Sequence, residues 1–258
     1  MKVGLICALY NAIDYVEKCY SAWIKYRAEN PEKLVIICID TKFKETEDGA
    51  DHSTDGTLEL LKKYKEDGLI DYVVEAPPGL MEHESRNLGL DICKKENCDV
   101  IHSIGSDEVY TVEQIKQIYD FVEKKKFIAY FQIYHKNLVF DEKHYTDDFC
   151  PNRVWRIKYG NAVLNGFNGD DNCYWTDGVI TIGEKGLPSL RIPKNIAFIL
   201  HYTWCHPKRC KEKIAYQTRR WNEHGCSFKW NEEKDCLEFD EVYYQQRNMS
   251  PPEVFVDE

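Results

Sequence analysis

Four short apolar runs decide what this chain can fold into: 2–9, 33–39, 70–74 and 99–104. Within them apolar and polar residues hardly alternate, which is the pattern of strands covered on both faces. The segments between them carry helical periodicity. Asp14 opens one that runs to about Glu29, with Val16, Cys19, Tyr20, Trp23 and Ile24 on its apolar stripe. Ser53 or Thr54 opens a second, which carries Leu58, Leu60, Leu61 and Tyr64 and closes at Gly68. A third runs from about Glu84 to Lys95. Thr111 and Gln114 form a capping box for a fourth, bearing Val112, Ile115, Ile118, Tyr119 and Val122, and another strand is expected over 127–134. Strand and helix in alternation predict an α/β fold with a mostly parallel sheet and helices on both faces.

After about residue 135 the rhythm changes. Short aromatic strands, turn residues and acidic loops follow until Pro207 opens a helix that ends near Gly225. From Cys226 onward the chain is polar and acidic, and is expected to wrap the surface. A chain of 258 residues can bury a sizeable core. Its net charge of −10, from 34 basic and 44 acidic side chains, argues against nonspecific binding to nucleic acid or an anionic membrane. No apolar run approaches the ~20 residues that a membrane-spanning helix needs. The N-terminal MKVGLICALYNA reads as a strand rather than a signal peptide. The 11 cysteines are scattered, and Cys7, Cys19, Cys38 and Cys93 fall inside apolar patterns. They read as reduced core thiols of a cytoplasmic protein.

The chemistry concentrates where the fourth run ends, at Gly105-Ser106-Asp107-Glu108. Two carboxylates at the C-terminal end of a parallel strand lie where open α/β sheets bind ligands. Carboxylate oxygens suit a hard divalent cation, and such a cation suits a diphosphate. After the first strand stands Ala8-Leu9-Tyr10-Asn11 rather than a glycine-rich phosphate loop, which argues against a dinucleotide dehydrogenase or a nucleotidyltransferase.

The order of these pieces resembles glycosyltransferase family 2, which has the GT-A fold. Tyr10-Asn11 matches the pair that follows the family's first strand. Asp51-His52-Ser53-Thr54-Asp55-Gly56-Thr57 matches the tail of its Asp-Asp-Gly-Ser-x-Asp-Gly-Thr motif, set apart from the strand end at Asp40 by an acidic insertion. Glu84-Ser85-Arg86-Asn87-Leu88-Gly89 matches its Ala-x-x-Arg-Asn-x-Gly segment. Gly105-Ser106-Asp107-Glu108 stands at its Asp-x-Asp, with glycine in place of the first Asp. Arg153-Val154-Trp155-Arg156 and His201-Tyr202 look similar to features of a bacterial and phage-like subset.

The resemblance implies an inverting, metal-dependent transferase that moves a sugar from a nucleotide-diphosphate donor, a UDP-sugar first, to a hydroxyl of a glycan-type acceptor. It implies Mn2+ or Mg2+ held by Asp107 and by His201, and donor contacts from Tyr10, Asp40, Asp51, Arg86 and Ser106. Asp40 or Asp51 would lie near the base, and Arg86 near the base or the diphosphate. Asp171, with Asp170 next and Asp177 as a further choice, would be the general base. The division it suggests is one GT-A-type domain over 1–225, with the nucleotide-sugar half over 1–125 and the acceptor half over 126–225. A C-terminal extension over 226–258 would follow.

Blander readings stand beside these. Asp107-Glu108 could be a solvated turn, Arg86 could pair with Glu82 or Glu84, and Asp170-Asp171 could be an acidic loop. His201, Cys205, His206 and Cys210 have the ligand types of a zinc site without a standard spacing. The alternative from another class is a noncatalytic sugar-nucleotide or glycan-binding module on the same fold.

Overall fold

The computed structural model describes the chain except for residues 45, 47–48, 140–142, 146–149, 158–161, 164–180, 183–188, 206, 222–227, 247–254 and 257–258. The first elements alternate as expected: Val3–Leu9 (β1), Ile13–Glu29 (α1), Leu34–Asp40 (β2), Thr57–Glu66 (α2), Tyr72–Glu75 (β3), Glu82–Lys95 (α3), Val100–Ile104 (β4), Glu108–Val109 (β5) and Val112–Lys124 (α4). Short strands follow: Tyr130–Gln132 (β6), Tyr134–Val139 (β7), Lys143–Tyr145 (β8), Asn152–Arg156 (β9), Ala162–Val163 (β10), Thr181–Ile182 (β11), Ser189–Arg191 (β12) and Phe198–Trp204 (β13). The chain continues with Pro207–Trp221 (α5), Phe228–Asn231 (β14), Cys236–Phe239 (β15), Glu241–Gln246 (α6) and Phe255–Val256 (β16).

By its contacts the chain divides into two compact units, one of residues 1–135 and 149–199, the other of 136–148 and 200–258. The first unit is built on a seven-stranded sheet of order β12-β6-β9-β4-β1-β2-β3. Strand β1 runs parallel to β2 and to β4, and β2 runs parallel to β3, so these four strands end on one edge. Strand β9 is antiparallel to both β4 and β6. The sheet is thus mostly parallel, and helices cover both of its faces.

Alternate residues of β1 and β2 serve two cores, which is why their sequences carry no polar face. Val3, Leu5, Cys7 and Leu9 join Leu34, Ile36 and Cys38 under α1 and α4, where Trp23 and Ile118 are packed. Ile6, Ala8, Val35, Ile37 and Ile39 face the other way, with Leu90 and Cys93 of α3 and with Trp155. Trp23 and Trp155 are essentially sealed from solvent. Truncating side chains of this kind to Ala costs roughly 3–5 kcal/mol. Helix α3 lies close on the sheet because Gly89 faces Ile6. A Cβ there would come within 2.8 Å of Ile6 Cγ2, so any larger residue would push out the helix that carries Arg86.

Two helix starts differ from expectation. Asp14 lies inside the first turn of α1 and does not cap it; Ala12 holds the cap position. The N–H of Ile13 is met instead by Asp55 Oδ2 at 3.2 Å. Helix α2 begins behind Gly56, whose φ of +98° needs a glycine, rather than at Ser53 or Thr54. Asp55 accepts from Thr57 N at 3.1 Å and so serves this helix too. One carboxylate satisfies two helix N-termini that the sequence places far apart, a sharing that only the tertiary fold allows. The capping box of Thr111 and Gln114 forms as the sequence predicts.

In the second unit, β16, β8, β7 and β13 lie side by side. The stretch from Cys226 is more ordered than a surface wrap, because β14 and β15 pair as a hairpin. Asp235, with φ of +48°, turns that hairpin, and Phe228 and Leu237 pack with Trp204 and Cys210. The nine cysteines described are free thiols, seven of them buried, in keeping with the reading as core residues. Among the described residues no helix is long and apolar enough to cross a membrane.

Candidate active site

The C-terminal ends of β1, β2 and β4 bring the sequence-derived candidates to one edge of the sheet, the edge where open α/β sheets bind ligands. At the end of β1 stand Tyr10 and Asn11. Asn11 has a φ of +47°, a left-handed conformation of the kind that clusters at functional sites. Its amide N–H donates to Ser53 Oγ at 2.8 Å, and its Oδ1 accepts from Thr54 N at 2.9 Å. The Tyr10 hydroxyl donates to Ala50 O at 2.8 Å. Burial pushes that phenol up, Asn11 opposes the shift, and the carboxylates of Asp40, Asp51 and Asp55 add to it. Tyr10, Asp40 and Asp51 therefore share one neighbourhood.

Asp40, at the end of β2, is 0% exposed. Its Oδ1 accepts the Ser53 hydroxyl, and its Oδ2 accepts Ser53 N at 3.1 Å. His52 Nδ1 lies 3.3 Å from the same Oδ2. Burial pushes the Asp40 carboxyl up, and Ser53 and His52 offset only part of that shift. Asp40 thus ties the far end of the acidic insertion back to the strand. Lys42 closes the insertion at its base, donating its N–H to Asp51 O at 3.0 Å. Asp51 itself is exposed.

At the end of β4 the chain turns back within Gly105-Ser106-Asp107-Glu108, and Glu108 N donates to Gly105 O at 3.3 Å. Ser106 and Asp107 are half-buried. A Cβ on Gly105 would come 2.8 Å from Asp107 Oδ1 and 3.3 Å from Glu108 Oε1. The bare glycine leaves the room into which both carboxylates fold.

The paired carboxylates expected at this tip part company. Glu108 points inward and is 1% exposed. Arg153 of β9, 3% exposed, donates from Nε to both of its oxygens at 3.0 and 3.1 Å, and from Nη2 to Oε1. His135 Nε2 lies 3.6 Å away, and the Tyr110 hydroxyl donates at 3.4 Å. Burial alone would push the Glu108 carboxyl up, but Arg153 and His135 prevail and hold it well below the usual carboxylate range. Beneath it His102 stands between the hydroxyls of Tyr119 and Tyr110, at 3.2 and 3.4 Å, with Trp23 edge-on. Burial pushes this imidazole down to about 3, against the pull of Glu108 and with help from Arg153.

The other candidates are more dispersed. Arg86 is 2% exposed and donates from Nη2 to Glu82 Oε1, the i,i+4 partner expected of a helical arginine. His201 belongs to the second unit, where its Nδ1 lies 2.7 Å from Asn137 Oδ1. Asp170, Asp171, Asp177 and His206 lie outside the described residues. Sequence reasoning gave no role to His52. Nor did it foresee the Arg153–Glu108 pair, whose only local signal was that adjacent residues of an extended segment point to opposite sides.

The sequence model of the family described as Glycosyl transferase family 2 matches residues 5–182. The chain belongs to this family. Among solved structures it is similar to S. aureus TarS 1-349, with a TM-score of 0.51 and 16% identity over 86% of this chain and 66% of that one. It is also similar to full-length S. aureus TarS, at 0.52 and 16% over 83% of this chain and 38% of that one. A third likeness is to the mannosyltransferase PcManGT from Pyrobaculum calidifontis in complex with GDP-Man and Mn2+, at 0.52 and 11% over 86% and 64%. At such identities the likeness carries the GT-A fold alone. The chain spans less than two thirds of the length of each of these neighbours. No curated protein matches it.

Proposed function

We propose that this protein is an inverting, metal-dependent glycosyltransferase that moves a sugar from a nucleotide-diphosphate donor, a UDP-sugar first, to a hydroxyl of a glycan-type acceptor. The observation that carries this reading is the gathering of Tyr10, Asn11, Asp40 and Asp107 at the carboxyl ends of β1, β2 and β4. The neighbour PcManGT, in complex with GDP-Man and Mn2+, supports a nucleotide-sugar donor and a divalent ion on this fold.

The residues fit an ion that arrives with its donor. A divalent ion shared with substrate phosphates needs only one or two protein carboxylates. Asp107 is the tip carboxylate nearer solvent, since Glu108 is buried against Arg153 and Gly105 offers no side chain. Among the described residues no three of His, Cys, Asp and Glu gather as a ready-made cage. Asp107 would hold the ion, with His201 as the further ligand that the family resemblance names. When bound, Mn2+ or Mg2+ supplies positive charge against the departing diphosphate.

The chain's own groups do the rest. The Tyr10 ring offers a face on which a base can stack. Arg86 and Ser106 stand on the elements that would flank the diphosphate. Asp171, or else Asp170, takes the acceptor's hydroxyl proton on the side of the sugar opposite the leaving group, as a single inverting displacement requires. The free thiols among the described residues support a reducing, cytoplasmic setting.

A noncatalytic sugar-nucleotide or glycan-binding module is the second reading, and Gly105 is the observation that favours it. A panel of UDP- and GDP-sugars with Mn2+ or Mg2+, assayed for nucleotide release with and without glycan acceptors, separates the two. Release supports the transferase, binding without release supports the module, and neither binding nor release overturns both.

A further inference from the structure

Helix α3 ends at the amino ends of β1 and β4, on the opposite edge of the sheet from the candidate site. It closes in a Schellman motif. Asn97, with φ of +55°, takes the left-handed position, Cys98 N donates to Cys93 O at 2.9 Å, and Asn97 N donates to Lys94 O at 3.2 Å. That motif brings its first and last side chains into contact, and in this chain both are cysteines. Both sulfurs lie over Gly4 of β1. A Cβ there would come 2.1 Å from Cys93 Sγ and 3.4 Å from Cys98 Sγ, so the bare glycine makes the room in which the two thiols meet. Their surroundings differ. Cys93 is 0% exposed, whereas Cys98 is 7% exposed and stands between the exposed Asn97 and Asp99. The hydrogen bond between the two thiols pushes Cys93 up, with help from burial, and pulls Cys98 below its ordinary value. The charge of Lys2 pulls Cys98 the same way, against burial and the carboxylates of Glu96 and Asp99. Lys2 is fastened beside it, with Nζ donating to Glu96 O at 2.7 Å and to Glu96 Oε2 at 3.0 Å. Burial pushes the thiols of Cys7, Cys19, Cys38, Cys150 and Cys210 up instead.

We infer that Cys93 and Cys98 form an oxidation-sensitive dithiol that takes hydroperoxides, with Cys98 as the attacking sulfur and Cys93 as the resolving one. The Cys98 thiolate attacks one peroxide oxygen and breaks the O–O bond. Cys98 becomes a sulfenic acid, and the other oxygen leaves as water or an alcohol after taking up the thiol's proton. The Cys93 sulfur then attacks the Cys98 sulfur. The S–S bond forms, the S–O bond breaks, and the hydroxyl leaves as water with the Cys93 proton. The two sulfurs give up two electrons, and the peroxide takes them. The order of attack follows from the surroundings, because the thiolate is the nucleophile and Cys98 is both the outer sulfur and the more readily ionised one. The closed disulfide pins the end of α3, the helix of Arg86, to the start of β4, the strand that leads to Asp107. In a reducing setting such a bond is transient, so the pair would report oxidant rather than brace the fold. This inference does not depend on the nucleotide-sugar reading.

Peptide mapping of the wild-type protein tests the assignment. The folded protein is treated with an excess of hydrogen peroxide, the remaining thiols are alkylated in denaturant, and the tryptic peptides are weighed. Trypsin cuts at Lys94 and Lys95, between the two cysteines. The expected product is therefore two peptides joined by a Cys93–Cys98 bond that dithiothreitol separates, with Cys7, Cys19 and Cys38 recovered as alkylated thiols. Cys98→Ser should leave Cys93 fully alkylated after the same treatment. Cys93→Ser should leave a sulfenic acid at Cys98 that dimedone traps. Recovery of both Cys93 and Cys98 of wild-type as alkylated thiols overturns the inference, as does bonding of either to a different cysteine. A dimedone adduct on Cys93 in Cys98→Ser overturns the assigned order of attack. Should either variant not fold, dimedone added to wild-type during the oxidation decides the order: an adduct on Cys98 supports it, and one on Cys93 overturns it.

Discussion

The two ends of the candidate site solve the same problem by opposite means. At β2 a carboxylate, Asp40, is buried behind a half-exposed histidine; at β4 another, Glu108, is buried behind a half-exposed aspartate. Asp40 is held by a serine hydroxyl, a backbone N–H and an imidazole edge, and burial pushes its carboxyl up. Glu108 is held by a guanidinium fork, and its carboxyl is pulled well down. A carboxylate held mainly by a hydroxyl and a backbone N–H is not locked to a buried cation. One locked to a buried cation is a fixed strut, and removing either partner leaves a stranded charge.

The strut is the easiest part of this contrast to break. Arg153→Met should cost about 3–5 kcal/mol in urea denaturation, because Glu108 is left buried and unpaired. A loss below ~1 kcal/mol would mean that solvent reaches Glu108 and the two ends do not differ. Asp40→Asn should cost less, about 1–3 kcal/mol, because the acceptors for Ser53 are disturbed but no charge is stranded. If Asp40→Asn proved the more damaging of the two, the contrast would be reversed.

Acid sharpens the comparison through the sign of each shift. Glu108 has a lowered folded value, so its stabilisation is present above its ordinary range and is lost as pH falls toward the folded value. His102, at about 3 in the fold, must take up a proton on unfolding at any pH below its ordinary 6.5. Its share therefore begins to disappear below that pH. Asp40, with a raised value, works in the opposite sense and favours the fold as it protonates. The expected net result is a stability that declines below pH 6.5 by about 1.4 kcal/mol per pH unit for each net proton taken up on unfolding. His102→Asn should flatten the upper part of that decline, and an unchanged slope would remove His102 from the account.

The smallest effects concern the ion. Asp107→Asn should weaken Mn2+-supported nucleotide binding by about tenfold, or about 1.4 kcal/mol. Equal binding in calorimetry would remove Asp107 from the ion's coordination. Mn2+ alone should move the melting temperature by less than 1 °C or so, and Mn2+ with nucleotide by several degrees, as linkage to a shared site requires. A large shift with the metal alone would reveal a ready-made cage, which a single half-buried carboxylate at the tip does not make.

Much of the first unit was readable along the chain. The apolar runs of β1, β2 and β4 showed no polar face, so two-sided burial followed. The capping box at Thr111 and Gln114 was local in sequence and formed as read. The Gly105–Glu108 tip was legible because a glycine and two carboxylates close an apolar run, whereas the Tyr10–Asn11 pair was singled out by the family resemblance. The hairpin of β14 and β15 was missed, because its turn, Glu232-Glu233-Lys234-Asp235, looks like solvated acidic chain and needs a left-handed Asp235 instead of a glycine.

The direction of a side chain is what local sequence could not state. Asp55 faces the first turns of two helices, and Asp40 meets Ser53 across an insertion. Glu108 turns inward because Arg153 arrives from a strand that pairs with β4. Periodicity and local turn chemistry determined which segments are strands and helices, since those depend on neighbours a few residues away. Which carboxylate faces the ligand and which is walled in was decided by the tertiary structure alone. The cost of burying a charge is met only by partners that distant parts of the chain bring to it.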